Sequence, residues 1–278
     1  MSRVLKLSLV WCLSCLSSAV LQARELSFAV EPFLTPRSLI SAFQPMRDYV
    51  GAQTGNKVVL VTAKNYDDYL DRLFKGEFDL AIIGPHSALL AAQRAGYVPL
   101  LKAEGALHAV VLVRKDSPYQ RLTDLKGQLV AFPDELTVTS MLGGELFKQA
   151  GLVQGRDITF RHNDYHNTAA MMLLRDEAAA AVVADSALLP MSPEIRAGIR
   201  VLAESKGVPQ MVLLAHPSLS ADERRGVAEA VAGFDQSRPP AHNFLALIGI
   251  SMTRPLSDAD IKQVTPYVEA LKRHLELK

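Results

Sequence analysis

Several residues with hydrogen-bonding side chains stand where short apolar runs end and amphipathic stretches begin. Tyr66 follows the run 57–61, and Gly84, Pro85 and His86 follow 78–83. Thr137, Thr139 and Ser140 open one amphipathic stretch, His166 opens another, and Asp185 follows 180–184. In open parallel sheets, ligands bind beyond the carboxyl ends of the strands. A helix that starts there offers unpaired N–H groups and a partial positive charge, which suit an anion. The chemistry these residue types imply is therefore hydrogen-bonded capture of a small anion. Each group also has a structural reading. Thr137, Thr139 and Ser140 are good helix caps, Gly84-Pro85 is a strand-ending turn, Asp185-Ser186 is a further cap, and Tyr66 and Tyr69 fit as half-buried aromatics.

His162 and His166 are four residues apart, a spacing that places two metal ligands on one helical face. Asn163-Asp164 breaks the helix between them and no third ligand stands out, so the expectation is no metal and no cofactor. There is no Gly-x-Ser-x-Gly elbow, no phosphate-binding Walker loop and no Gly-x-Gly-x-x-Gly after a strand. No carboxylate pair is placed for acid–base work. The expectation is a binding protein and not an enzyme.

The elements that must position these residues follow a β–α rhythm. Apolar runs at 26–30, 57–61 and 78–83 alternate with helical patterns at 37–54, 66–74 and 86–95, the first and last closed by Gly55 and Gly96. This predicts a largely parallel, doubly wound sheet. A second round follows: strands at 109–114, 128–132, 157–160 and 180–184, and helices at 138–150 and 166–175. Further strands at 199–203 and 211–215 precede two helices, 221–234 and 257–275. Extended crossings near 108–113 and 207–215 would join the two units.

Residues 1–23 read as a secretory signal, with Arg3 and Lys6 before an uncharged apolar stretch and Leu21-Gln22-Ala23 as the cleavage site. The apolar stretch is shorter than the roughly 20 residues needed to span a bilayer. Cys12 and Cys15 both lie within it, so the mature chain has no cysteine and no disulfide or thiolate chemistry. Lipid attachment at Cys15 is the minor alternative. Removing Arg3 and Lys6 leaves 28 Lys+Arg against 29 Asp+Glu. A chain so nearly neutral is not built for nucleic acid or for a polybasic membrane role.

The ordered set of motifs resembles the phosphate/phosphite/phosphonate-type substrate-binding proteins of ABC transporters, a branch of the type II periplasmic binding proteins. Its carriers are Pro45-Met46-Arg47-Asp48-Tyr49-Val50 with Thr54-Gly55, Tyr66-Asp67-Asp68-Tyr69, and the run from Gly76 to Pro85. Asp116-Ser117-Pro118 with Leu122-Thr123-Asp124-Leu125-Lys126-Gly127, Gly151-Leu152 and His166-Asn167 complete it. The resemblance implies an α/β fold: two doubly wound lobes joined by a two-strand hinge, a clamshell. Lobe 1 would take 24–108 and 213–278, and lobe 2 would take 109–212.

It further implies that Tyr66, Thr137, Thr139, Ser140 and His166 bind an oxyanion between the lobes, with Gly84, Pro85 and His86 lining it from lobe 1. Asp185 stands beside them as a strand-end candidate. The implied function is periplasmic capture of a small anionic ligand for an ABC permease; the alternative is a sensor acting with a membrane histidine kinase. Membrane contact would come only through that partner. The chain departs from the family pattern at Ile83, where an aromatic is frequent, at Thr137-Val138-Thr139-Ser140, and at Gln210, where an acid is frequent.

Overall fold

The structure is a computed structural model that describes residues 24–235 and 240–276. Residues 1–23, where the sequence predicts a secretory signal, lie outside the described residues. The chain begins with β1 (Glu25–Val30), α1 (Pro36–Thr54), β2 (Lys57–Val61), α2 (Tyr66–Phe74), β3 (Leu80–Ile83), α3 (Pro85–Ala95) and β4 (Val98–Ala103). It then crosses through the short β5 (Ala106–Leu107). The second unit comprises β6 (Ala109–Arg114), β7 (Leu129–Phe132), α4 (Val138–Gln149), β8 (Thr159–His162), α5 (His166–Leu174), β9 (Ala180–Ala184), α6 (Pro193–Gly198) and β10 (Ile199–Glu204). The chain returns through β11 (Val208–Pro209) to β12 (Val212–Ala215), α7 (Ala221–Phe234), α8 (Pro240–Ile248), β13 (Met252–Arg254) and α9 (Asp258–Glu276).

Two sheets result. The first has the order β13-β4-β12-β3-β1-β2 and the second β10-β6-β9-β7-β8. One half of each sheet is parallel: β1 pairs in parallel with β2 and β3, and β7 with β8 and β9. The other half is antiparallel, and it holds the strands next to the crossings, β4 and β12 in the first sheet and β6 and β10 in the second, with β13 added at the edge beside β4. The sheets are thus mixed where the sequence pattern predicts largely parallel ones. β4, α6, α8 and β13 are additions to the expected elements. β5 and β11 pair antiparallel where the chain passes between the sheets.

Alternation along the first sheet divides its side chains between two apolar layers, as strand geometry requires. Phe28, Val30, Leu80, Ile82 and Leu213 pack on one face with α1, α7 and α8. Ala29, Ala81, Ile83, Val212 and Leu214 pack on the other with α2, α3 and α9. The second sheet has its own core around Val111, Val130, Phe132, Val182 and Val183. Local signals set the helix ends. Asn65 caps α2 by accepting the Asp68 N–H, and Ser220 and Glu223 form a reciprocal cap on α7. Gly55 and Gly96 close α1 and α3 at positive φ.

Candidate functional site

A cavity lies where the two sheets face each other. Glu31 and Phe33 after β1, Tyr66 at the start of α2, and Gly84 and His86 at the start of α3 line it from the first unit. Thr137, Val138 and Thr139 at the start of α4, His166 at the start of α5, and Ala184, Ser186 and Ala187 after β9 line it from the second. Leu107, Met211, Ile248 and Ile250 add apolar wall. The volume is about 30 Å3, a space for a guest of few atoms when one ordered water needs about 10–15 Å3. Among the described residues no lysine or arginine lines it.

The second unit presents donors. Thr137 Oγ1 caps α4, accepting the Ser140 N–H at 3.2 Å and donating to Asp134 O at 2.8 Å. That leaves the Val138 and Thr139 N–H groups of the first turn without a protein partner. The Thr139 hydroxyl is also unpartnered among the described residues, in a side chain only 2% exposed. His166 Nδ1 accepts the Ala184 N–H at 3.2 Å. This selects the tautomer with the proton on Nε2, so that nitrogen is a donor. Burial holds the His166 pKa down at about 4, so the ring is neutral at pH 7.

The first unit presents a mixed set. Glu31 Oε2 accepts the Gly84 N–H at 3.0 Å. Burial raises the Glu31 pKa to about 8, against the lowering effect of that hydrogen bond. The carboxyl is therefore protonated near neutrality and donates. Burial also pushes the Tyr66 phenol well above its usual pKa, with the charges of Glu31 and Asp134 adding to the effect, so its O–H is a donor too. His86 Nε2–H donates to Leu136 O at 2.8 Å, across to the loop before α4. Its Nδ1 is then a lone-pair acceptor, buried and without a partner. Burial holds its pKa at about 4.

The anticipated residues divide accordingly. Tyr66, Gly84, His86, Thr137, Thr139 and His166 meet at the cavity. Ser140 does not: its hydroxyl donates to Pro133 O and Asp134 O and fastens the loop. Pro85 occupies the first position of α3, where a missing N–H costs nothing. Asp185 turns to the crossing, with Oδ2 3.0 Å from His108 Nδ1 and Oδ1 accepting the His108 and Ser186 N–H groups. His162 is exposed and donates through Nδ1 to Pro133 O at 2.9 Å, away from the cavity. Tyr69 is structural, donating to Ile82 O at 3.2 Å.

A family model described as "ABC transporter, phosphonate, periplasmic substrate-binding protein" matches residues 28–261. The chain belongs to this family. Solved structures share the fold at low identity. A binding-protein component of an ABC phosphonate transporter from Pseudomonas aeruginosa is 16% identical with a TM-score of 0.76, covering 91% of this chain and 96% of its own. PhnD1 from Prochlorococcus marinus in complex with methylphosphonate is 15% identical with a TM-score of 0.76, covering 91% and 98%. The aliphatic sulphonate binding protein SsuA from Escherichia coli is 18% identical with a TM-score of 0.63, covering 90% and 92%.

In this substrate-binding protein the residue that sequence reasoning left out of the site is Glu31. Its signal was weak: a single carboxylate after an apolar strand, followed by Pro32-Phe33. The apolar wall from Met211, Ile248 and Ile250 was equally hidden, since those residues lie far along the chain from the helix starts. Gln210, at the return crossing, is buried with Oε1 unpartnered and does not line the cavity.

Proposed function

We propose that the protein captures a small phosphorus oxyanion, such as methylphosphonate, phosphite or phosphate, in this cavity and delivers it to an ABC permease. The observation that carries the reading is the convergence of neutral donors from both units on one small cavity that no cation lines among the described residues. The Val138 and Thr139 amides, the Thr139 and Tyr66 hydroxyls, His166 Nε2–H and the protonated Glu31 would replace the hydration shell of the guest. Such donors gain strength in a dry, low-dielectric site. The apolar wall of Phe33, Met211, Ile248 and Ile250 would take a carbon substituent.

The same reading divides the chain into lobe 1 (24–108 and 213–278) and lobe 2 (109–212). The lobes would move about the crossings that carry β5 and β11 and close over the ligand. Residues 1–23 would direct export to the periplasm, where the loaded protein meets the permease. Titration calorimetry at pH 7 with methylphosphonate, phosphite, phosphate and sulfate tests it. A phosphorus oxyanion bound more tightly than sulfate supports the reading; no heat with any of the four refutes it.

A further inference from the structure

This inference rests on reading the cavity as an oxyanion site, and it concerns which form of the oxyanion enters. We infer that the site selects a monoanion that keeps one hydroxyl proton and donates that proton to His86 Nδ1. His86 is 2% exposed, and its Nε2–H is committed to Leu136 O. The neutral ring can therefore offer only a lone pair at Nδ1, and no protein group meets it. A buried acceptor left unpaired is destabilising, because it has lost water and gained nothing in return. A fully ionised guest supplies only acceptors and leaves that cost standing. A guest carrying one P–O–H removes it, while its remaining oxygens meet the donors of Thr139, Tyr66 and His166.

Charge argues the same way. The penalty for taking an ion out of water grows steeply with its charge, and among the described residues no lysine or arginine lines the cavity to offset a second negative charge. The titratable groups that face His86 across the cavity are Glu31 from the end of β1, Tyr66 from α2 and His166 from α5. Asp134, in the loop before α4, acts on Tyr66. Glu31 flanks the same spot as His86: a Cβ on Gly84 would stand 3.4 Å from His86 Nδ1 and 3.8 Å from Glu31 Oε2. Glu31 is thus a rival source of a proton for Nδ1.

The test compares methylphosphonate with methanesulfonate, a permanent monoanion of similar shape with no proton to give. Calorimetry of the mature protein between about pH 6 and pH 8 is expected to show methylphosphonate preferred at the acid end. The preference should fall by up to about tenfold per pH unit above the second ionisation of methylphosphonate. Titration of Glu31 acts on both ligands and drops out of the ratio. In His86→Phe both ligands should bind more weakly, because the bond to Leu136 O between the two units is lost as well, but the fall of the preference with pH should vanish. A wild-type ratio independent of pH, or one that still falls with pH in His86→Phe, overturns the inference and leaves the oxyanion reading intact. A pH-dependent ratio that survives His86→Phe and disappears in Glu31→Gln assigns the proton to Glu31 and likewise overturns it. If neither ligand, nor phosphite or phosphate, binds the wild type, the oxyanion reading itself falls and takes this inference with it.

Discussion

His86 Nε2 and the carbonyl oxygen of Leu136 are 2.8 Å apart, and the two residues belong to different units of the fold. His86 stands in the first turn of α3, and Leu136 in the loop between β7 and α4. The Leu136 side chain is 1% exposed and packs with Tyr66, Ile83 and Leu89, in a core layer of the first sheet. One residue of the second unit is thus plugged into the first by an apolar side chain and held there by a histidine that also lines the cavity. On the proposed reading of the cavity, closure and ligand contact would share a residue.

That arrangement makes Leu136→Ala a test of closure. Truncating a buried leucine costs about 2–5 kcal/mol, and here most of the lost contact is between units. The variant should fold but populate an open form. Small-angle scattering should show a larger radius of gyration, and affinity for the best oxyanion should fall by about 10- to 100-fold. Unchanged scattering and affinity would show that the plug does not control closure.

Thr139 and Ser140 are adjacent, yet their hydroxyls do different work. Thr139→Val keeps the shape and removes an unpartnered hydroxyl at the cavity, so affinity should drop about tenfold or more, as expected for a hydrogen bond to a charged group. Its melting temperature should stay within a degree or two. Ser140→Ala removes the bonds to Pro133 O and Asp134 O. It should lower stability by about 1 kcal/mol and affect affinity less. Calorimetry and thermal unfolding of the two variants side by side would expose a reversal of roles.

The helix starts were legible because capping chemistry and strand ends are local. Asn65, Thr137 and the glycines after α1 and α3 announce themselves in a few residues. What lies between strands was not. Nothing near Asp185 in the chain shows that His108 will face it across 77 residues, and nothing near Glu31 shows that Gly84 will meet it across 53. β13 is three residues long and pairs with β4, and α8 is a nine-residue helix whose large apolar residues crowd together after His242 and Asn243, so neither carries a clear period. The antiparallel half of each sheet was missed for a related reason: strand direction is set by how the chain crosses between sheets, which leaves no trace in alternation.

Gly143 shows how tightly α4 is held. A Cβ there would stand 2.7 Å from Val182 Cγ1 and 2.9 Å from Phe132 Cε1, both core atoms of the second sheet. The helix backbone rests directly on the strands, and a methyl group would lift it. Gly143→Ala gains helix propensity of up to about 1 kcal/mol but overpacks the core at about 1–3 kcal/mol, so net destabilisation is expected in urea unfolding. Lifting α4 also displaces the Val138 and Thr139 amides, so oxyanion affinity should fall with stability. Gly144→Ala, where a Cβ meets nothing within 4 Å, should be neutral or stabilising with full affinity and serves as the control.

Glu31 links the site to stability through pH. Its pKa is about 8 in the folded protein and 4.5 when unperturbed. Between those values the folded state keeps a proton that the unfolded state has lost. The stability this confers is complete below about pH 4.5 and is lost as pH rises through about 8. His86 and His166 act in the opposite sense. Their pKa values fall from 6.5 to about 4 on folding, so their contribution is complete above about pH 6.5 and is lost as pH falls through about 4. Above pH 6.5 Glu31 therefore acts without opposition from these histidines. At about 1.4 kcal/mol per pH unit, the wild type should lose on the order of 2 kcal/mol between pH 6.5 and 8. Glu31→Gln keeps an acceptor for the Gly84 N–H and has no proton to lose, so that loss should disappear. Urea unfolding of both proteins at the two pH values decides it: parallel losses in wild type and variant would mean that Glu31 is already ionised in the fold.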